Sequence, residues 1–144
     1  MSEVLEQIQA DTRAAMKGGE KERVSTLRML ASALQLDAKE GKGDAVAVLT
    51  RERKKRLEAA EAYAEAGRAE AAEAERAEAE LIAAYLPEQI SDGDLAAVVD
   101  EAVSATGASS PADMGKVMGA VMPKVKGRAD GGRVSAAVRE RLGS

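Results

Sequence analysis

The chain contains no phenylalanine and no tryptophan, and its only aromatic residues are Tyr63 and Tyr85. A hydrophobic core must therefore be built mainly from alanine, valine, leucine and methionine. Alanine and leucine favour helix, and small side chains let packed helices approach closely. Strands usually draw on alternating aromatic and β-branched residues, and the chain has no extended run of that kind. The sequence predicts an all-α fold.

Apolar residues at spacings of three and four predict seven helices, separated by glycine, proline and capping residues. The predicted N-caps are Ser2, Asp44, Ser91 or Asp92, and Asp130, and the predicted helix ends lie at Gly18, Gly41, Gly67, Leu86, Gly107 and Gly127. A boundary falls near Pro87–Ser91. We therefore expect an N-terminal four-helix bundle over residues 1–88 and a C-terminal three-helix bundle over residues 91–144.

The sixth helix has the clearest local pattern. Ser110-Pro111-Ala112-Asp113 reads as a capping box with proline at the first helical position. One apolar stripe follows, formed by Met114, Val117, Met118, Val121, Met122 and Val125. Pro123 is expected to kink or tighten this helix, because it lacks an N–H and its ring presses on the preceding turn.

The composition excludes several kinds of chemistry. Without cysteine there are no disulfides, thiolate nucleophiles or zinc–sulfur sites, and without histidine the usual general base and metal ligand are absent. We predict no cofactor and no metal site, and we interpret the glutamates between Glu70 and Glu80 as a solubilising face. No apolar stretch approaches the length of a membrane span, and the acidic N-terminus is unlike a signal peptide. These features favour a cytoplasmic protein with no membrane contact.

Charge is distributed unevenly along the chain. Residues 1–56 carry a balance of +3, residues 57–113 carry −12 and residues 114–144 carry +5. The densest basic run, Arg51–Arg56, spreads around its helix and offers the i, i+4 pairs Glu52–Arg56 and Lys54–Glu58. A solvated face is favoured there over a phosphate contact.

The strongest candidate site is a basic turn near the C-terminus, at residues 124–133. It is rich in glycine and leads into a helix N-terminus, where amides and the helix dipole favour a phosphate. The candidate RNA-binding residues are Lys116, Lys124, Lys126, Arg128 and Arg133, with backbone support from Gly127, Gly131 and Gly132. The alternative is an ordinary connector between two helices. No catalytic residue is assigned, because the capping box already accounts for Ser110 beside Lys116.

The kind of RNA follows from the shortage of aromatic residues. Proteins that read single strands stack bases on aromatic rings. Neither Tyr63 nor Tyr85 lies in the basic tail. Any bound RNA is therefore expected to be tRNA or another structured RNA, held by its backbone and shape.

Three stretches carry a family resemblance: KERVSTLRML at residues 21–30, AYLPEQIS at residues 84–91 and ADMGKVMGAVMPKVKGRADG at residues 112–131. With them the chain resembles the YqeY-like family along nearly its whole length. Gly115–Leu142 is also similar, more loosely, to the C-terminal tail of the GatB subunit of tRNA-dependent amidotransferases. The resemblance implies a four-helix bundle followed by a three-helix bundle, and a tail that binds tRNA while the chemistry happens elsewhere.

Three functions remain open from the sequence. The leading hypothesis is a non-catalytic accessory module that binds tRNA or another structured RNA through the C-terminal bundle. The first alternative is an adaptor for a protein partner, using the alanine-rich helix pair or a groove lined by Met114, Met118 and Met122. The second follows from the resemblance and is a subunit in glutamine-dependent tRNA amidation, a carbon–nitrogen ligation for which this chain shows no recognisable catalytic residue.

Overall fold

The computed structural model describes residues 3–143, and within that range it contains seven α-helices and no strand. The helices are α1 (Glu3–Lys17), α2 (Lys21–Lys39), α3 (Ala45–Glu65), α4 (Ala69–Ala83), α5 (Asp92–Thr106), α6 (Met114–Val121) and α7 (Gly131–Leu142). Short 3₁₀ turns flank α6 at Pro111–Asp113 and Met122–Lys124. The prediction of an all-α fold is confirmed.

Most of the predicted N-caps form. The side chains of Asp44, Ser91 and Asp130 each accept a hydrogen bond from the backbone N–H three residues later. Such caps satisfy one of the backbone donors left without a partner at the start of a helix. The predicted cap Ser2 lies outside the described residues.

The predicted features around α6 are also present. Asp113 Oδ2 accepts hydrogen bonds from the N–H groups of Ser109 and Ser110, at 3.0 and 3.4 Å, within a capping box. The bond from Ser109 contributes most to lowering the pKa of the Asp113 carboxyl. Pro123 lies in the 3₁₀ turn that follows α6, so the chain tightens there.

The chain divides into two compact units, Met1–Leu86 and Pro87–Ser144. In the first unit, α1 packs mainly on α2, and α3 packs mainly on α4. Its main apolar cluster consists of Leu5, Ile8, Ala15, Val24, Leu27, Leu30, Leu34, Val48, Leu49 and Ile82. The Tyr85 hydroxyl donates a 2.5 Å hydrogen bond to Asp11 Oδ2 and thereby fastens the chain after α4 to α1.

One part of the basic run on α3 is buried rather than solvated. Glu52 and Arg56 are each only 7% exposed. Arg56 Nη1 donates to Glu52 Oε1 at 2.9 Å, and its Nε lies 3.5 Å from Glu78 on α4. Because α2 also reaches this position, with Met29 Sδ 2.9 Å from Arg56 Nη2, three helices enclose the guanidinium. The predicted solvated face is therefore wrong for Glu52 and Arg56, whereas Lys54 stays at the surface.

The second unit has a core made largely of valine. Its buried residues are Ile90, Leu95, Val99, Ala102, Val103, Val117, Val121, Val125, Ala129, Val134 and Val138. The residues of the predicted apolar stripe differ in burial. Its valines are buried, whereas Met114, Met118 and Met122 are only partly buried at the edge of this core. No helix among the described residues has both the length and the apolar character needed to cross a lipid bilayer.

Candidate nucleic-acid interface

The basic turn between the second 3₁₀ turn and α7 is held by the segment that precedes α5. Gly127 has φ +76°, a left-handed conformation that favours glycine, and its carbonyl accepts a 2.8 Å hydrogen bond from Gln89 Nε2. The Ile90 N–H donates to the Arg128 carbonyl at 2.8 Å, and Arg128 Nε donates to the Glu88 carbonyl at 3.1 Å. Two hydrogen bonds thus hold backbone carbonyls of the turn, and the third holds the Arg128 side chain, before any ligand arrives.

Arg133 on α7 also forms hydrogen bonds to the segment at the start of α5. Its Nη2 donates to the Ile90 carbonyl at 2.9 Å and to Asp92 Oδ1 at 2.7 Å. About a third of the side chain is exposed. The guanidinium is already paired within the unit, so its main role in this structure is to hold the start of α5 against α7.

The three predicted lysines are all exposed on the C-terminal unit. Lys124 Nζ lies 3.9 Å from Glu101 Oε1, with 49% and 75% of the two side chains exposed. Such an exposed, long contact contributes little and is easily exchanged for another anion. Lys116 lies close enough to Asp113 to lower its pKa further, although less than the hydrogen bond from Ser109 does.

The first turn of α7 supplies the backbone part of the candidate site. Gly131 and Gly132 occupy its first two positions, where backbone N–H groups have no acceptor within the helix. The Asp130 carboxylate caps the third position by accepting the N–H of Arg133 at 2.9 Å. A Cβ added at Gly132 would lie 3.1 Å from Asp130 Oδ1, so glycine leaves space between this carboxylate and the helix.

Acidic residues of α5 offset part of the basic charge of the C-terminal unit. Asp92 pairs with Arg133, Asp100 pairs with Arg141 at 2.7 Å, and Glu101 lies near Lys124. These partners are separated by 23 to 41 residues, so no local pattern indicates them. The balance of +5 counted over residues 114–144 therefore overstates the positive field that the folded unit presents.

The described residues include no group of three or more acidic, histidine or cysteine side chains placed to hold a metal ion. Ser110 belongs to the capping box, and Asp113 is occupied by backbone N–H groups. The candidate site therefore consists of exposed lysines, one arginine and helix-terminal amides. Chemically, this arrangement can bind anions such as phosphate, and it carries no recognisable nucleophile–base pair.

No curated protein gives a significant match to the chain. The model of the family described as Yqey-like protein matches residues 5–142, nearly the whole sequence. This chain belongs to the YqeY-like family.

Proposed function

We propose that this chain is a non-catalytic module that binds tRNA or another structured RNA through its C-terminal unit. The contacting groups are the side chains of Lys116, Lys124, Lys126 and Arg128 and the N–H groups of Gly131 and Gly132. Gly127 and Arg133 build the turn that presents them. RNA phosphates are the anions that such a set recognises, because lysine and helix-terminal amides bind phosphate without reading sequence.

The observation that carries this proposal is the preformed basic turn. Its backbone is held by hydrogen bonds that Gln89 and Ile90 donate to the carbonyls of Gly127 and Arg128. A turn that is ordered before binding loses less conformational entropy when it meets a ligand. An ordinary connector needs no group of exposed lysines before such a turn, whereas a phosphate site benefits from both the cations and the fixed backbone.

Structured RNA is favoured over single strands because both tyrosines are engaged elsewhere. Tyr85 donates a hydrogen bond to Asp11. The Arg68 guanidinium lies over the Tyr63 ring, with its Cζ 4.9 Å from the ring centroid. Both belong to the N-terminal unit. The C-terminal unit therefore has no aromatic ring on which an unpaired base could stack.

The alternative functions have less support. Met114, Met118 and Met122 pack against the valine core, which leaves only part of each side chain for a protein partner. A role in glutamine-dependent amidation needs catalytic residues from another chain. We further propose that residues 1–88 and 91–144 fold as separate four-helix and three-helix bundles, with the RNA site in the second.

Salt dependence of RNA affinity tests the proposal. We expect the triple variant Lys116→Ala, Lys124→Ala, Lys126→Ala to bind folded tRNA more weakly than wild type. Each neutralised phosphate contributes roughly −0.7 to −0.9 to the slope of log K against log salt concentration. The slope for the variant should therefore be less negative by about two to three units. Arg128 is kept, since its Nε supports the turn.

The matched control replaces Lys39, Lys42 and Lys54, three exposed lysines of the N-terminal unit, by alanine. This control changes the net charge of the protein by the same amount as the first triple variant. We expect its salt slope to match that of wild type. Superimposed titrations of wild type and the first triple variant would show that the basic turn is only a connector.

A further inference from the structure

The N-terminal unit carries a second cationic surface, which we call the α1–α2 corner. It comprises the exposed side chains of Arg13, Lys17, Lys21, Arg23 and Arg28. Residues 13–28 contain these five cations and only two carboxylates, Glu20 and Glu22. Among the described residues, none of the five cations lies within ion-pair distance of a carboxylate. The corner therefore differs from the C-terminal unit, where α5 supplies counter-charges.

A depression of about 480 Å³ lies at this corner. Val24 is buried in its wall, and Met16 borders it with 53% of its surface exposed. Lys21, Ser25 and Arg28 line one side, because spacings of four and three residues place them on one face of α2. Apolar side chains and cations thus surround the same small space.

The Arg28 guanidinium rests on Met16 without being neutralised there. Its Nη2 lies 3.6 Å from Met16 Sδ, a weak contact with an uncharged sulfur. A methionine that is half exposed is unbranched and adaptable, which suits it to enclosing an apolar side chain from a partner. An incoming carboxylate could reach Arg28 without breaking an existing ion pair.

We propose that the α1–α2 corner binds an acidic peptide segment of a protein partner. One apolar side chain of the peptide enters the depression between Met16 and Val24, and flanking carboxylates meet Lys21 and Arg28. Apolar anchors surrounded by complementary charge are a recurring mode of peptide recognition. This surface shares no residue with the proposed RNA site.

Two observations favour a peptide over RNA at this surface. Contact with a phosphate backbone makes no use of an apolar depression, and the described lining of this one contains no aromatic ring for base stacking. A peptide with an apolar anchor uses both the depression and the cations. Glu20 also lines the space, so removing its charge should strengthen the binding of an acidic peptide.

The test uses the full chain and a fluorescently labelled synthetic peptide of glutamates with leucines at i, i+4 spacing. Two control peptides are matched to it. In one, serine replaces the leucines, and in the other, lysine replaces the glutamates. Fluorescence anisotropy should show saturable binding of the first peptide, and affinities at least about tenfold lower for the other two. Glu20→Gln should tighten binding of the first peptide severalfold.

Variants locate the binding surface. Lys21→Glu with Arg28→Glu should weaken binding about tenfold or more, because two attractive contacts become repulsive. Met16→Ser should weaken it about fivefold through lost apolar contact. The charge-matched control, Lys39→Glu at the other end of α2 with Lys42→Glu just beyond it, should stay within about twofold of wild type.

Several results would overturn this inference. Equal binding of the serine peptide would show that charge alone is responsible. An equal loss in the Lys39/Lys42 control would show that the corner is not special. If the Lys21/Arg28 variant loses tRNA affinity while keeping the peptide, the corner belongs to RNA. If sedimentation shows self-association that this variant abolishes, the occupant is a second copy of the chain.

Discussion

Replacing Arg56 by alanine tests how the N-terminal unit is held together. Arg56 and Glu52 are both buried on α3, and Glu78 of α4 lies 3.5 Å from the guanidinium. Removing the arginine leaves the Glu52 carboxylate enclosed without its closest cation. Breaking a buried pair in this way costs about 3–5 kcal/mol when the remaining charge has no other partner. The exposed Lys55 ammonium, 3.2 Å from Glu52 Oε2, compensates part of the remaining charge, so we expect a loss of about 3 kcal/mol.

That loss is large for a unit of this size. At roughly 0.05–0.15 kcal/mol per residue, a unit of 86 residues has a free energy of unfolding of about 4–13 kcal/mol. Arg56→Ala is therefore expected to remove about a quarter or more of it. Lys54→Ala, an exposed neighbour on the same helix, should change it by less than about 0.5 kcal/mol.

The stability loss caused by Arg56→Ala should depend on pH. Burial raises the pKa of the Glu52 carboxyl, but hydrogen bonds and charges from Arg56 and Lys55 outweigh it, and the net pKa is lowered. In wild type, Glu52 therefore stabilises the fold above its unfolded pKa, and this contribution is lost as the pH falls through its lower folded pKa. Without Arg56 the burial effect loses its main counterweight, and the folded pKa of Glu52 rises. The difference between variant and wild type should then shrink on acidification.

Tyrosine fluorescence during urea unfolding is a suitable assay. Both tyrosines lie in the N-terminal unit, so their signal reports on that unit alone. Wild type and Arg56→Ala should be compared near pH 7 and near pH 4. The double variant Glu52→Gln, Arg56→Ala should recover a substantial part of the loss near pH 7, since no buried charge remains on α3. A loss below about 1 kcal/mol with no pH dependence would refute this reasoning and restore the solvated interpretation of the basic run.

Three further predictions concern single contacts and the second unit. Tyr85→Phe removes the hydrogen bond to Asp11 and should cost about 1–3 kcal/mol in the same urea assay. Because burial, followed by that bond, raises the pKa of the Tyr85 hydroxyl, alkaline titration of phenolate absorbance should show it ionising above the usual range of tyrosine. Arg133→Ala removes two hydrogen bonds at the start of α5. In the isolated fragment of residues 87–144 it should lower the free energy of unfolding by about 1.5–3 kcal/mol, measured by thermal denaturation with circular dichroism. The same fragment, residues 87–144, should give a helical spectrum on its own with modest stability, whereas a random-coil spectrum at low temperature would argue against separate bundles.

Local rules predicted much of the fold. The caps at Asp44, Ser91 and Asp130 depend on side chains and amides only three residues apart, so the sequence contains all the information needed. The tightening at Pro123 follows from the ring and missing N–H of that residue alone. Helix ends differ from prediction by only a few residues, as for α4, which ends at Ala83 rather than near Leu86.

Contacts between distant segments could not be predicted in the same way. The burial of Arg56 depends on α2 and α4 both reaching one face of α3, which no spacing within α3 reveals. Likewise, the partners that α5 offers to Arg133 and Arg141 lie 41 residues away from them. The sequence therefore indicates the basic residues of the C-terminal unit but not which of them are already paired in the fold.

The most direct test of the proposed RNA site is amide-resolved NMR of the isotope-labelled full chain during titration with folded tRNA. Backbone contact with phosphates at the start of α7 should shift or broaden the N–H signals of Gly131 and Gly132, together with those of Lys124 and Lys126. The Lys116, Lys124, Lys126 triple-alanine variant should lose these changes while keeping its free spectrum elsewhere. If tRNA leaves the Gly131 and Gly132 signals unchanged, or perturbs only residues 13–28, the proposal that the basic turn binds RNA is contradicted.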